Sequence, residues 1–117
     1  MHTSFNSVLD IIFPKALREY FVLVKQTIGE ERYDFYLEEV NIVPQQYEGN
    51  KILSKGFYEE ITVQDFPIRG NKVYYHIRRR RWLNEDSGEV VHRDWNLVAQ
   101  GTRITADFAA FLKEINR

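Results

Sequence analysis

Lys72-Val73-Tyr74-Tyr75-His76-Ile77-Arg78-Arg79-Arg80-Arg81-Trp82-Leu83 is the stretch on which the fold reading turns. Its β-branched and aromatic residues predict one strand over Lys72 to Leu83. Alternation splits it into two faces, one with Val73, Tyr75, Ile77, Arg79 and Arg81, the other with Tyr74, His76, Arg78, Arg80 and Trp82. On both faces the apolar half comes first. The strand is therefore expected to root in a core and to carry its arginines outward as a charged arm.

Strand signals extend in both directions. Upstream, Pro67-Ile68-Arg69-Gly70-Asn71 reads as a turn closing a hairpin with a strand over Phe57 to Phe66. Downstream, Asn84 to Gly88 turns the chain into a returning strand over Glu89 to Asn96, whose apolar positions are Val91 and Trp95. Trp82 and Trp95 are expected on facing strands, as a core pair rather than a base-stacking one. Nearer the N-terminus, Phe21 to Ile28 and Tyr33 to Val40 form a further antiparallel hairpin about Gly29-Glu30-Glu31, and Asn41 to Gly56 reads as a polar loop.

The ends read as helical. Ser7 caps a short apolar helix ending near Phe13, and Pro14 opens a further helical turn to Tyr20. Thr105 caps a C-terminal helix whose Phe108, Phe111, Leu112 and Ile115 fall on one stripe. The expected class is thus α+β: short N-terminal helices, antiparallel hairpins forming a ribbon-like sheet, and a C-terminal amphipathic helix. A chain of 117 residues with 44% hydrophobic and 15% aromatic content fits one domain. Its expected parts are 1–56 with the first hairpin, 57–100 with the basic hairpin, and 101–117 with the last helix.

Charge is unevenly spread. Residues 1–65 hold 6 Lys/Arg against 11 Asp/Glu, a net of −5, whereas residues 66–117 hold 10 against 6, a net of +4. Positive charge concentrated beside an aromatic is the footprint of a polyanion-binding surface, and arginine suits bidentate contact with guanine edges or phosphates. An arginine run is also compatible with a merely solvated strand, or with pairing to Glu85, Asp86 and Glu89 across the hairpin. With no cysteine and three scattered histidines, His2, His76 and His92, neither a metal site nor another cofactor is expected. Glu38-Glu39 and Glu59-Glu60 point opposite ways on strands and make poor acid/base pairs. The chain reads as a binding module, not an enzyme. No apolar run is long enough for a membrane span and no signal peptide is visible, so a soluble, cytoplasmic protein is expected.

The ordered set Asp65-Phe66-Pro67-Ile68-Arg69-Gly70, Val73, Arg79-Arg80-Arg81-Trp82 and Gly101-Thr102-Arg103-Ile104-Thr105, followed by a helix with Phe108, Ala109, Phe111 and Leu112, resembles the N-terminal region of bacterial insertion-sequence transposases. The likeness runs from about Val8 to Ile115 and is strongest over 56–115. Leu9, Ile12, Phe13 and the alternation from Phe35 to Glu39 resemble the variant in which this region is a separate short protein. There a neighbouring reading frame encodes the catalytic part. Zinc-ribbon relatives carry cysteine pairs near Asn41–Gln46 and Leu83–Ser87; neither is present here, so no metal carries over. The resemblance implies recognition of the transposon's terminal repeats. With the charge reading, the candidate DNA contacts are Arg69, Lys72, Arg78, Arg79, Arg80, Arg81, Trp82, Arg93, Arg103 and Thr105. The expected partners are DNA and a separately encoded transposase catalytic subunit. The alternative is a non-catalytic module that docks onto that subunit.

Overall fold

The computed structural model describes residues 18–95. The strands are β1 (Phe21–Ile28), β2 (Arg32–Glu39), β3 (Ile52–Phe57), β4 (Ile61–Ile68), β5 (Asn71–Arg78), β6 (Arg80–Asn84) and β7 (Glu89–Val91). They make a four-stranded sheet in the order β1-β2-β5-β4 and a three-stranded sheet in the order β3-β6-β7.

The α+β expectation is corrected by this content. Strands account for 59% of the described residues, and among these no helix reaches seven residues. The segment Gln45–Tyr47 forms a single 3-10 turn. The architecture of the described residues is all-β. The expected N-terminal helix to Phe13 and the C-terminal helix from Thr105 lie outside the described residues, as do Arg103 and Thr105 themselves.

Alternation makes the first sheet two-faced. Phe21 and Leu23 of β1, Phe35 and Leu37 of β2, Val63 of β4, and Val73, Tyr75 and Ile77 of β5 bury one face as a single cluster with Trp95. Full burial of each such side chain stabilises by about 1.5–3 kcal/mol. A bulge between Leu23 and Lys25 leaves exposed Val24 out of the ladder. It turns Lys25 to the wet face, where its ammonium lies 5.1 Å from the Tyr36 ring.

The β4–β5 hairpin closes on Arg69 and Gly70, both at positive φ (51° and 80°), the geometry of a type I′ turn. Pro67 belongs to β4 rather than to the turn. It fits because β4 is an edge strand whose register shifts between Asp65 and Ile68.

Two topological features depart from the expected ribbon of successive hairpins. The central pair is parallel: β2 lies beside β5, with Tyr36 opposite His76 and Glu38 opposite Arg78. The expected single strand from Lys72 to Leu83 is two strands in different sheets, parted by Arg79. Crossing the break inverts the burial phase. Odd positions Val73, Tyr75, Ile77 and Arg79 are buried before it, and even positions Trp82 and Asn84 after it. Val73, Tyr75 and Ile77 belong to the first sheet's cluster, whereas Trp82 is buried in the second sheet outside that cluster. The second sheet also recruits β3 from the segment expected to be a loop, and the returning strand is cut short at Val91.

Both tryptophans are fully buried, but not against each other. Trp82 sits opposite Val91 and donates from Nε1 to Asn41 Oδ1 at 2.8 Å. Trp95 stacks on Phe21 at 5.0 Å and meets Tyr20 edge-on at 6.0 Å, within the first sheet's core. The expected cross-strand pair is replaced by one indole in each sheet.

Candidate nucleic-acid interface

The arginine quartet lies across the seam between the sheets, held by two aromatic residues at the end of β3. Gly56, at φ 80°, and a register shift between Ser54 and Phe57 bend β3 as it reaches β6. Phe57 then falls opposite Arg80, and the Tyr58 amide donates to the Arg79 carbonyl at 2.8 Å. The guanidinium carbons of Arg78 and Arg80 lie 4.4 and 4.6 Å from the Phe57 ring centre. Those of Arg79 and Arg81 lie 4.7 and 5.9 Å from the Tyr58 ring centre. Even-numbered arginines thus share one ring and odd-numbered arginines the next. Each guanidinium–ring contact contributes about 0.5–2 kcal/mol, more where water is excluded.

The two pairs differ in what else they hold. Arg78 Nη1 is 2.7 Å from Glu38 Oε2. Arg80 donates from Nη1 to Ser54 Oγ at 2.9 Å and from Nε to the Glu39 carbonyl at 3.2 Å. Arg81 is exposed and donates from Nε to the Lys55 carbonyl at 3.1 Å. Arg79 is only 9% exposed, and its Nε has no hydrogen-bond partner. Burial holds its pKa below the usual arginine range, with the fields of Tyr58 and Glu39 opposing. Among the described residues, Arg78 is the member of the quartet whose side chain is ion-paired to a carboxylate.

Beneath the quartet sits Glu39, 1% exposed. It accepts the Arg80 amide at 2.8 Å and Arg93 Nε at 3.2 Å. Burial pushes its carboxyl up to about 7, opposed by the Arg80 amide and the Arg93 guanidinium. Arg93 is itself buried, lies 4.2 Å from the Tyr20 ring, and donates to the Ile42 carbonyl. Its role is internal: it bridges β2 to the segment after β7.

The remaining sequence candidates divide by place. Arg69 is exposed in the β4–β5 turn and Lys72 is exposed early in β5. At strand rise, Lys72 is about 23 Å from Arg79, so these two cations form no continuous patch with the quartet. Trp82 is buried and engaged with Asn41. The acidic tip does not neutralise the arginines: Asp86 Oδ2 accepts the Lys51 amide at 3.0 Å, and Glu85 pairs with Lys51 Nζ at 3.3 Å.

His76 and His92 lie at separate places in the fold. His76 Nε2 is 2.7 Å from Asp34 Oδ1, its Nδ1 is 3.0 Å from Thr62 Oγ1, and its ring stacks on Tyr36 at 4.4 Å. A carboxylate can only accept, so Nε2 donates to Asp34. Arg32 adds two hydrogen bonds to Asp34, at 2.7 and 2.8 Å, and with His76 holds that carboxyl below the usual range. His92 Nδ1 donates to the Arg93 carbonyl at 2.9 Å, and its ring meets Tyr58 edge-on at 6.0 Å. No group of three or more metal-ligating side chains occurs among the described residues. Nor is any described helix long and apolar enough to cross a membrane.

Sequence reasoning found the charge of this site but not its frame. Phe57, Tyr58, Ser54 and Glu39 were not singled out as parts of it. The available signal was the aromatic doublet following Gly56, whose role depends on a strand pairing far apart in sequence. Compared with family models, with curated proteins and with solved structures, the chain finds no match.

Proposed function

We propose that this chain is a DNA-binding N-terminal or accessory region of an insertion-sequence transposase. It binds the element's terminal repeats through the arginine quartet and works in the cytoplasm beside a separately encoded catalytic subunit. One observation carries the DNA-binding part: most of the quartet is held by rings, a hydroxyl and backbone carbonyls rather than by carboxylates, so its positive charge is not cancelled. The transposase assignment rests on the ordered motifs from Asp65 to Leu112. Affinity comes from phosphates; any sequence preference comes from adjoining residues. The test is titration of the element's ends with the full chain across a salt series. Binding should weaken by about 0.9 log units per log unit of salt for each phosphate engaged. Absent or salt-insensitive binding would overturn the reading.

A second reading has its own support. Leu53, Leu83 and Val90 lie opposite one another across the second sheet, with Leu53 47% and Val90 51% exposed. An apolar stripe of this kind suits docking onto the catalytic subunit. Retention of that subunit by Arg79→Ala/Arg81→Ala, with loss by Leu53→Asp/Val90→Asp, would assign docking to the stripe and DNA to the seam.

A further inference from the structure

The four arginines are not equivalent, and the difference follows their parity. Arg78 is committed to Glu38, and Arg80 to Ser54 and the Glu39 carbonyl. Arg79 and Arg81 are two residues apart, share the Tyr58 ring, and have no ion pair among the described residues. Arg79 is also nine-tenths buried with Nε unpartnered. A buried Nε with no hydrogen bond, on a guanidinium with no ion pair among the described residues, is an unfavourable arrangement that an incoming anion relieves. His92 against the Tyr58 ring, anchored through Nδ1 to the Arg93 carbonyl, fixes the ring on which both guanidinium groups rest.

We propose that Arg79 and Arg81, laid over Tyr58, together seat a single phosphate group of the DNA backbone, while Arg78 and Arg80 brace the seam. The proposal rests on the DNA-binding reading and narrows it to one shared phosphate. Two forks converging on one phosphate give a strong charge-assisted grip that is indifferent to base identity.

The test has two arms, both on the full chain. In the first, duplex binding is measured by fluorescence anisotropy across a salt series for wild type, Arg79→Met, Arg81→Gln, the double variant and Lys25→Gln, with melting curves confirming folding. The double variant should bind roughly tenfold or more weakly on every duplex tested. Its salt slope should fall by about 0.9, the worth of one phosphate. Lys25→Gln, exposed on β1 of the first sheet, should leave the slope unchanged. In the second arm, inorganic phosphate is titrated into wild type while the arginine Nε–H signals are followed by NMR; Arg79 and Arg81 should shift together.

A slope loss near 1.8 in the double variant would mean two separate phosphates and overturn the shared seat while leaving DNA binding intact. An unchanged slope in that variant would also overturn the seat alone. If wild type binds no duplex, the DNA reading falls; coupled shifts with inorganic phosphate would then still support an anion seat, and their absence would overturn it.

Discussion

Glu39 offers the sharpest test of how the seam is held. It is buried between the Arg80 amide and the Arg93 guanidinium, with burial lifting its pKa from 4.5 to about 7. A raised folded-state pKa means that the native protein binds this proton more tightly than the unfolded chain does. The contribution to stability is therefore fully present below the unfolded value of 4.5 and is lost as pH rises through about 7. Its full size is about 3 kcal/mol, at about 1.4 kcal/mol per pKa unit. Glu39→Gln mimics the protonated side chain and keeps an acceptor for the Arg80 amide, so it should lack this pH dependence. Urea unfolding of wild type and Glu39→Gln at several pH values from 4.5 to 8 reads the difference directly. Relative to wild type, the glutamine variant should gain about 3 kcal/mol across that range, roughly 1–3 M in urea midpoint. Glu39→Ala at pH 8 should instead lose about 3–5 kcal/mol, because Arg93 is left buried without its partner. Arg93→Met in the alanine background should recover part of that loss. Parallel pH profiles for wild type and Glu39→Gln, or a loss under about 1 kcal/mol for Glu39→Ala, would refute the account of Glu39 as a buried, proton-holding brace.

Other substitutions probe the remaining features. Trp82→Phe should cost about 1–3 kcal/mol in chemical unfolding, since it strands the Asn41 acceptor, yet should leave the salt slope of DNA binding unchanged. Gly70→Val should lower the melting temperature through a loss of about 1–3 kcal/mol, because φ 80° is strained for a β-branched residue. Asp34 has a lowered pKa, so its stabilising effect is present above the unfolded value and is lost as pH falls through the folded one; Asp34→Asn should flatten the acid limb of the pH–stability profile. Arg78→Gln should change stability by under about 1 kcal/mol in the same assay, its pair with Glu38 being solvated.

The sequence carried the strands wherever one side-chain period ran uninterrupted. β1, the turn at Gly29, β2 and the turn after Asn84 fall close to where alternation and turn residues put them. β3 was hidden because Ile52-Leu53-Ser54-Lys55-Gly56-Phe57 alternates poorly and contains a glycine. The parallel pairing of β2 with β5 was hidden for a different reason. It joins segments about 40 residues apart, and nothing local to either strand encodes its neighbour. The break at Arg79 was masked because arginine tolerates both a half-buried and an exposed setting, so the change of phase left no mark in the residue types. In the site, the excess of charge could be read directly. Which arginines are committed could not, since Glu38, Ser54 and Glu39 reach them only through the tertiary fold.

The one-residue step at Arg79 has a consequence for how this segment can change length. The chain arrives in odd phase and departs in even phase, with Ile77 buried in the first sheet's cluster and Trp82 buried in the second sheet. Deleting or inserting a single arginine would rotate Trp82 out of its slot or Ile77 out of its own, and would move the whole run past Phe57 and Tyr58. The number four is therefore a geometric requirement of the join. Substitution within the run can tune charge, whereas indels there should abolish folding.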